Sequence, residues 1–495
     1  MARVMVLGAT GYVGGRLVPR LLQEGHEVVA ASRSARKLSS RPWAHHPSVL
    51  TCSVDVLNGE KLTEALTGCE VCYYLVHSME NKVDFQSADR QAAENLARAA
   101  ARAGLKRIIY LGGLGEDDPK LSRHLRSRAE VAHILQSGPV PVTTLRAAMI
   151  IGSGSASFEI LRYLVDRLPI MVTPRWVSTL SQPIAIRNVL DYLVGCLRDP
   201  RSAGKSFDIG GPDVLTYRQL MEIYAEQAGL PRRFVIPVPI FTPRLSSYWI
   251  HLVTPVHAAL ARPLAEGLRN PAVCGENSIE QLLPIQKLTC REAIRLALRN
   301  HLSHHLESHW TDAGWMPPEE TVHPGDAAWS GGTVYSDRRR LRVLGDLDDV
   351  WRSIVRIGGE TGWYYGDTLW RIRGLMDTLM GGVGSRRGRR HPQEVYPGDA
   401  LDFWRVLIAE PRVRLRLLAE MKVPGQAILE FQLSQPAPGV VEVVQSAWFV
   451  PSGLLGMLYW HLISPLHNLV FAGMLRGIAR ASQTPLLGPP IRLEE

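Results

Sequence analysis

A chain of 495 residues, 46% hydrophobic and 21% charged, is globular and too long for one ordinary core, so two or three domains are expected. Its formal charge of +9 sits on arginines scattered among acids, which argues against a nucleic-acid-binding stripe and predicts no nucleic-acid partner. Six cysteines without a regular framework argue against a disulfide scaffold and predict a reduced, cytoplasmic protein.

The chain opens on MARVMVLGATG; a strand begins almost at once and leaves no room for a secretory signal. Short β-branched runs then alternate with helical stretches: RVMVLGA, HEVVAAS, VLTCSVDV, CYYLV, KRIIYLGG and VTTLRAAMI. This spacing predicts an α/β fold over residues 1–150, a Rossmann-type doubly wound parallel sheet with crossover helices. Cys69 and Cys72 form C-x-x-C but enter the apolar run CYYLV, so they read as part of a buried strand rather than a redox or metal site.

The first strand runs into Gly8-Ala9-Thr10-Gly11-Tyr12-Val13-Gly14, followed by a helix with Val13, Leu17 and Leu21 on one face and an awkward Pro19 inside. Glycines at this spacing permit a tight turn, close approach of backbone to a pyrophosphate, and close packing of helix on strand. The helix N-terminus then offers N–H groups to the phosphates. Gly8, Thr10, Gly11, Tyr12, Val13 and Gly14 are therefore candidate dinucleotide-binding residues. At the end of the second strand, where an NAD site commonly places an acid, stand Ser32 and Arg33, with Arg36 and Lys37 behind. A guanidinium pairs with a ribose 2′-phosphate, so NADP(H) is expected ahead of NAD(H), and NAD(H) stays open. Asp55 reads either as an acceptor for the adenine amino group or as a turn residue. Val56, Val76, His77 and Gly112, at the ends of the third, fourth and fifth strands, complete the candidate cradle.

Further along, IPVPIFTPRLSSYWIHLVTPVHAAL is apolar but too rich in proline for a spanning helix, and reads as part of a substrate cover over 151–310 with a membrane-facing surface. His301, His305 and His309 would share a helical face, but no carboxylate or thiolate completes the set, so a solvated linker is expected and no metal. The basic run GSRRGRRH at 384–391 reads as a solvated loop. From about Gly325 the texture changes. DLDDVWRSIVRI and DTLWRIRGLMDTLMGG are amphipathic helices, and RVRLRLLAEM and AILEFQL alternate with period two, which predicts antiparallel strands over a core. The chain closes on a long helical stretch, and no Asp, Glu, Lys or Arg occurs from Val443 through Leu475. That length spans a bilayer; Pro465, His461, His467 and Asn468 favour a buried helix, and peripheral membrane association is the alternative.

The pieces GATGYVGGRL, LTCSVDV, RIIYLGGLG, SRAEVAHIL, TLRAAMIIG and FDIGGPDVLTYRQLMEIYAEQAGL resemble the atypical and extended short-chain dehydrogenase/reductases, in particular the NmrA-like and complex I accessory-subunit-like branch, over about residues 1–300. The resemblance implies a tyrosine, a lysine and a serine as the catalytic groups. Here His124 stands at the tyrosine position, Arg128 at the lysine position and Gly112 or Gly113 at the serine position. Arginine supplies charge but no proton; histidine titrates near neutrality and is the candidate acid. Tyr73, Tyr74 and Tyr110 lie within strands and read as core or cleft walls. Residues 326–484, with MKVPGQAILEF and SGLLGMLYWHLISPLHNLVF, resemble START/Bet v 1-like helix-grip domains, which implies an α+β fold holding a hydrophobic small molecule. Two functions stay open: an NADP(H)-dependent oxidoreductase acting on a lipid, quinone or polyketide-like compound, and a non-catalytic NADP(H)-binding sensor or assembly factor.

Overall fold

A computed structural model describes residues 1–39, 41–76, 85–115, 122–238, 253–254, 258–298, 330–379, 389, 391 and 393–493. It divides into two compact units, Met1–Gly332 and Thr333–Glu495. His77, the histidine run 301–309, the apolar proline-rich stretch from 239 to 252 and most of the basic run 384–391 lie outside the described residues.

In the first unit all six expected runs form strands: β1 (Arg3–Leu7), β2 (Glu27–Ser32), β3 (Val49–Ser53), β4 (Val71–Tyr74), β5 (Arg107–Gly113) and β6 (Val142–Ala147). A seventh, β7 (Ser206–Ile209), joins at the edge, and the order is β7-β6-β5-β4-β1-β2-β3. Every pairing is parallel. Crossover helices cover both faces of the inner strands, which is why β1, β4 and β5 read as apolar runs, while the edge strand β3 is largely exposed. One face packs α1 (Tyr12–Gln23) and α2 (Ile186–Arg198), with Leu17, Leu21, Val189 and Leu193 fully buried. Pro19 lies inside α1, which continues through it. Cys72 is buried in β4 and Cys69 just before it, both as free thiols pushed upward in pKa by burial.

The order reverses between β1 and β4, and the ends of adjacent strands stand in register: Leu7 with Tyr74, and Tyr74 with Tyr110. Their carboxyl ends therefore open on one crevice, the place where doubly wound sheets take ligands. Helix α3 (Ala156–Arg167) follows a turn at 152–155, and its Glu159 and Arg162 are wholly buried. Arg162 donates to Ser153 Oγ at 2.9 Å and to Glu159 at 3.3 Å, and the backbone N–H of Gly154 and of Gly331 reach Glu159 Oε1 at 2.8 and 3.0 Å.

The second unit is a seven-stranded antiparallel sheet: β8 (Tyr335–Leu344), β9 (Ala400–Leu401), β10 (Trp404–Glu410), β11 (Arg414–Ala419), β12 (Gly425–Ala437), β13 (Val440–Pro451) and β14 (Ile491–Leu493). Its order is β9-β10-β11-β12-β13-β8-β14. Between β8 and β9 come α4 (Leu347–Val355) and α5 (Asp367–Leu379), and α6 (Gly453–Ala481) follows β13. Leu417, Leu429 and Phe431 on the sheet meet Phe471, Met474 and Ile478 of α6 in one core. The closing strand 491–493, which completes this sheet, lies beyond the stretch 326–484 read from sequence.

Helix α6 departs from the expectation of a buried helix. One side is packed on the sheet, but Leu455, Leu458 and Leu462 are 73%, 57% and 77% exposed. Its outer face carries no charge from Leu455 to Leu469, and Arg476 and Arg480 come only in its last turns, so over most of its length composition could not separate the two sides.

A polar cluster interrupts this core. Arg339 makes a two-pronged bond to Asp337 at 2.9 Å and donates to Asn468 Oδ1 at 2.7 Å, with His467 nearby. Burial, followed by Arg339 and Arg492, outweighs Asp337 and brings His467 down to about 4. An unfolded histidine near 6.5 binds a proton that the folded one refuses between those values. Stability of this unit is therefore full above about pH 6.5 and falls as pH drops toward 4. Urea titrations of wild type and His467→Gln should show that slope, reduced in the variant.

Candidate active site

The site is built from the turn after β1. Gly8 has φ +90°, and a Cβ on it would lie 2.9 Å from the Leu75 carbonyl oxygen and 3.4 Å from Val76. Only glycine takes that backbone without strain. A Cβ on Gly14 would lie 2.3 Å from the Gly8 carbonyl oxygen and 3.0 Å from the Ala9 Cα, so helix and turn touch through hydrogen alone. Gly11 donates to the Gly8 carbonyl at 2.9 Å and starts α1, whose N-terminus no side chain caps and whose first turn holds no acid. A helix start left open beside a backbone-only turn is what a pyrophosphate requires. The residues present thus fit a dinucleotide.

Thr10 and Ser32 share a hydroxyl hydrogen bond of 2.9 Å, which ties the turn to the end of β2. Arg33 follows on the surface, with Arg36 and Lys37 exposed beside it. Tyr12 lies against Gly152, where a Cβ would meet its hydroxyl at 2.4 Å, and Arg16, buried over the Tyr12 ring, donates to the Tyr12 and Ser153 carbonyls. Asp55 is exposed, and its Oδ1 accepts the Leu57 N–H at 3.0 Å, so it does form a turn. It also lines an open polar cleft of about 620 Å³ with Asn58, Asn95 and Arg98. Val56 is buried in the core, and its carbonyl accepts from Asn95 at 3.1 Å.

At the end of β5, Arg128 and His124 come together as their spacing on one helix (Arg123–Gln136) implies. Arg128 donates through Nη1 to the Leu111 carbonyl at 3.1 Å and through Nε to His124 Nε2 at 3.3 Å. A Cβ on Gly113 would touch the Arg128 stem at 3.4 Å, so the arginine lies against the strand end. Burial first, then the Arg128 charge, lowers His124 to about 3. Its Nε2 is a lone-pair acceptor, and near neutral pH the ring has no imidazolium proton to give. As the candidate acid, His124 is thus held in the wrong protonation state. Tyr74 and Tyr110 pack with ring centroids 5.9 Å apart. Burial pushes the Tyr110 phenol up to about 12, and its hydroxyl donates to the Arg128 carbonyl. Tyr73 is buried and bonded to the Leu193 carbonyl.

One residue escaped the sequence reading. Arg41 is buried beneath the turn, donates to the Thr10 carbonyl, and places Nη1 3.6 Å from where a Gly15 Cβ would be. Nothing in the run SSRPW signals this, because the contact depends on how residues 35–45 fold back. Arg41→Met should loosen the turn and weaken dinucleotide affinity by roughly tenfold, the worth of one charge-assisted bond; calorimetry reads it directly.

Residues 8–160 match the NAD(P)H-binding family. The first unit thus contains an NAD(P)H-binding Rossmann domain. Residues 329–474 match DUF2867, a protein family of unknown function. The chain is 28% identical over 244 residues to NADH dehydrogenase [ubiquinone] 1 alpha subcomplex subunit 9, mitochondrial, of Arabidopsis thaliana, covering 48% of this chain and 60% of that protein. It is 32% identical over 120 residues to a 3-beta-hydroxysteroid dehydrogenase of Mycolicibacterium neoaurum, covering 22% of this chain and 31% of that protein. The chain thus spans less than two thirds of the length of these relatives. In fold it is similar to a nucleoside-diphosphate-sugar epimerase from Staphylococcus aureus and to the triphenylmethane reductase of Citrobacter sp.. Each shows a TM-score of 0.50 at 18% identity and 99% coverage of the solved chain, over 59% and 60% of this one.

Proposed function

We propose that this chain is an NADP(H)-dependent oxidoreductase that reduces a hydrophobic acceptor of the quinone, lipid or polyketide-like class without a protein acid at the standard position. The observation that carries the reading is the pairing of an open dinucleotide turn with a neutral, arginine-bound His124. Bound NADPH supplies hydride. Glycine turn and helix N-terminus hold the pyrophosphate, Arg33 with its basic neighbours takes the 2′-phosphate, and Arg128 holds positive charge at the strand end. An acceptor that becomes a stabilised anion, as a quinone does, takes its proton from water, so no phenol is required. His124 then acts as a positioning residue for Arg128.

Turnover should accordingly lack a histidine-like pKa near 6.5, and His124→Gln, which keeps an acceptor for Arg128, should retain activity within a few-fold. The test is NADPH oxidation by the full chain against a panel of quinones and hydrophobic ketones. Stoichiometric oxidation with quinones supports the reading. Saturable NADPH binding with no oxidation by any acceptor overturns it in favour of a non-catalytic sensor or assembly factor, the reading favoured by the missing serine, tyrosine and lysine.

For the second unit we propose a helix-grip holder of that hydrophobic molecule. The element order strand, two helices, strands, long helix supports this, as do the buried Gln445 Oε1, Trp404 Nε1 and Trp370 Nε1, which find no hydrogen-bond partner among the described residues. Buried polar atoms without partners call for a ligand or water. Solvent extraction of the purified chain followed by mass spectrometry should yield an apolar compound with a polar head.

A further inference from the structure

The outer side of α6 is a hydrophobic stripe. Leu455, Leu458, Leu462, Leu466 and Leu469 recur at helical spacing and are 46–77% exposed, while Gly456, Trp460, Phe471, Met474 and Ile478 on the other side are buried. Helix α5 repeats the pattern: Ile372, Leu375, Met376 and Leu379 are 50–78% exposed, whereas Gly374 and Asp377 are buried. The two helices are antiparallel neighbours. Tyr365, just before α5, fills the space over Gly473, and Arg373 stands 5.5 Å over the Tyr459 ring. Isolated surface leucines are ordinary, but two adjoining helices with leucine-rich outer faces form a binding surface.

The charges around it select the occupant. On α6 the only Asp, Glu, Lys or Arg residues are Arg476 and Arg480, seven and eleven residues after Leu469 and so on the stripe's own face. On α5 Arg371 is exposed, and Lys422 is exposed beside Arg373, which donates to its carbonyl. The two acids of α5 turn to backbone: Asp367 accepts the Trp363 N–H at 2.8 Å and Asp377 the Lys422 N–H at 2.6 Å. Apolar side chains flanked by cations match a membrane surface with anionic headgroups. A protein interface would be anchored by aromatic and arginine side chains, and leucine is under-represented among such anchors; this stripe is aliphatic throughout. Helix α6 is long and apolar enough to cross a bilayer by length and composition, but its other side is committed to the sheet.

We propose that α5 and α6 seat the second unit on an anionic lipid bilayer, with the leucines lying at the headgroup–acyl boundary and α6 in the membrane plane. The inference stands apart from the redox reading. The full chain is floated with vesicles of phosphatidylcholine alone and of phosphatidylcholine with phosphatidylglycerol. It should rise with the anionic vesicles and be released by salt. The double variant Leu455→Ser/Leu462→Ser, at exposed positions that leave the core intact, should lose binding by more than roughly tenfold. Arg476→Glu/Arg480→Glu should abolish the preference for phosphatidylglycerol. Three results would overturn the proposal: no flotation with either vesicle, resistance to carbonate extraction, which would mean a spanning helix, or a wild-type dimer in ultracentrifugation that the serine variant converts to monomer.

Discussion

Gly14→Ala should abolish measurable NAD(P)H binding and lower the stability of the first unit by about 1–3 kcal/mol or more. The added methyl would sit 2.3 Å from the Gly8 carbonyl oxygen and 2.9 Å from its carbon, and neither is a flexible side chain that can swing away. Either α1 moves off β1 or the Gly8 turn deforms, and both displace the helix N-terminus from the phosphates. Calorimetry with NADPH and urea unfolding of the same sample measure both losses. Gly25→Ala, at a glycine with nothing within 4 Å of the added carbon, is the control: its φ of +76° costs some stability, and binding should persist.

Arg162→Met should destabilise the first unit by about 3–5 kcal/mol, because it strands the Glu159 carboxylate in a site with no solvent exposure. Adding Glu159→Gln should recover much of that loss, since an amide oxygen can still accept from Gly154 and Gly331 while the buried charge is gone. The single variant should also weaken NADPH binding. Arg162 fixes Ser153, whose carbonyl holds Arg16 against Tyr12 at the start of α1. Unfolding midpoints for the two singles and the double give the coupling; additive effects would show that the pair does not act as one unit.

The parallel sheet was legible because its inner strands β1, β4 and β5 are buried on both faces and so spell apolar runs, while the edge strand β3 keeps Leu50 and Thr51 exposed. The glycine turn was legible because Gly8 and Gly14 answer to backbone contacts a few residues away. Residues whose role depends on long-range folding were not. Arg41 reaches the Thr10 carbonyl only after the chain folds back, and nothing in the spacing of Glu159 and Arg162, three apart on a helix, marks them as wholly buried. His124 and Arg128 were picked out through the resemblance, and one helix sets them side by side. The protonation of His124 was not legible, because burial, absent from the sequence, is the larger cause of its lowered pKa. In the second unit the alternation of β11 and β12 announced antiparallel strands, yet α6, uncharged until Arg476, gave little sign of which side faces out.

The most direct measurement is a calorimetric titration of the full chain with NADPH and with NADH, repeated on Arg33→Ala. Because the end of β2 offers Arg33, Arg36 and Lys37 and no acid, NADPH should bind more tightly by roughly ten- to a hundredfold, the worth of a charge-assisted phosphate contact of about 1.5–3 kcal/mol. The variant should lose most of that preference while keeping its NADH affinity. Equal affinities for the two nucleotides in the wild type, or no binding of either, would contradict the account.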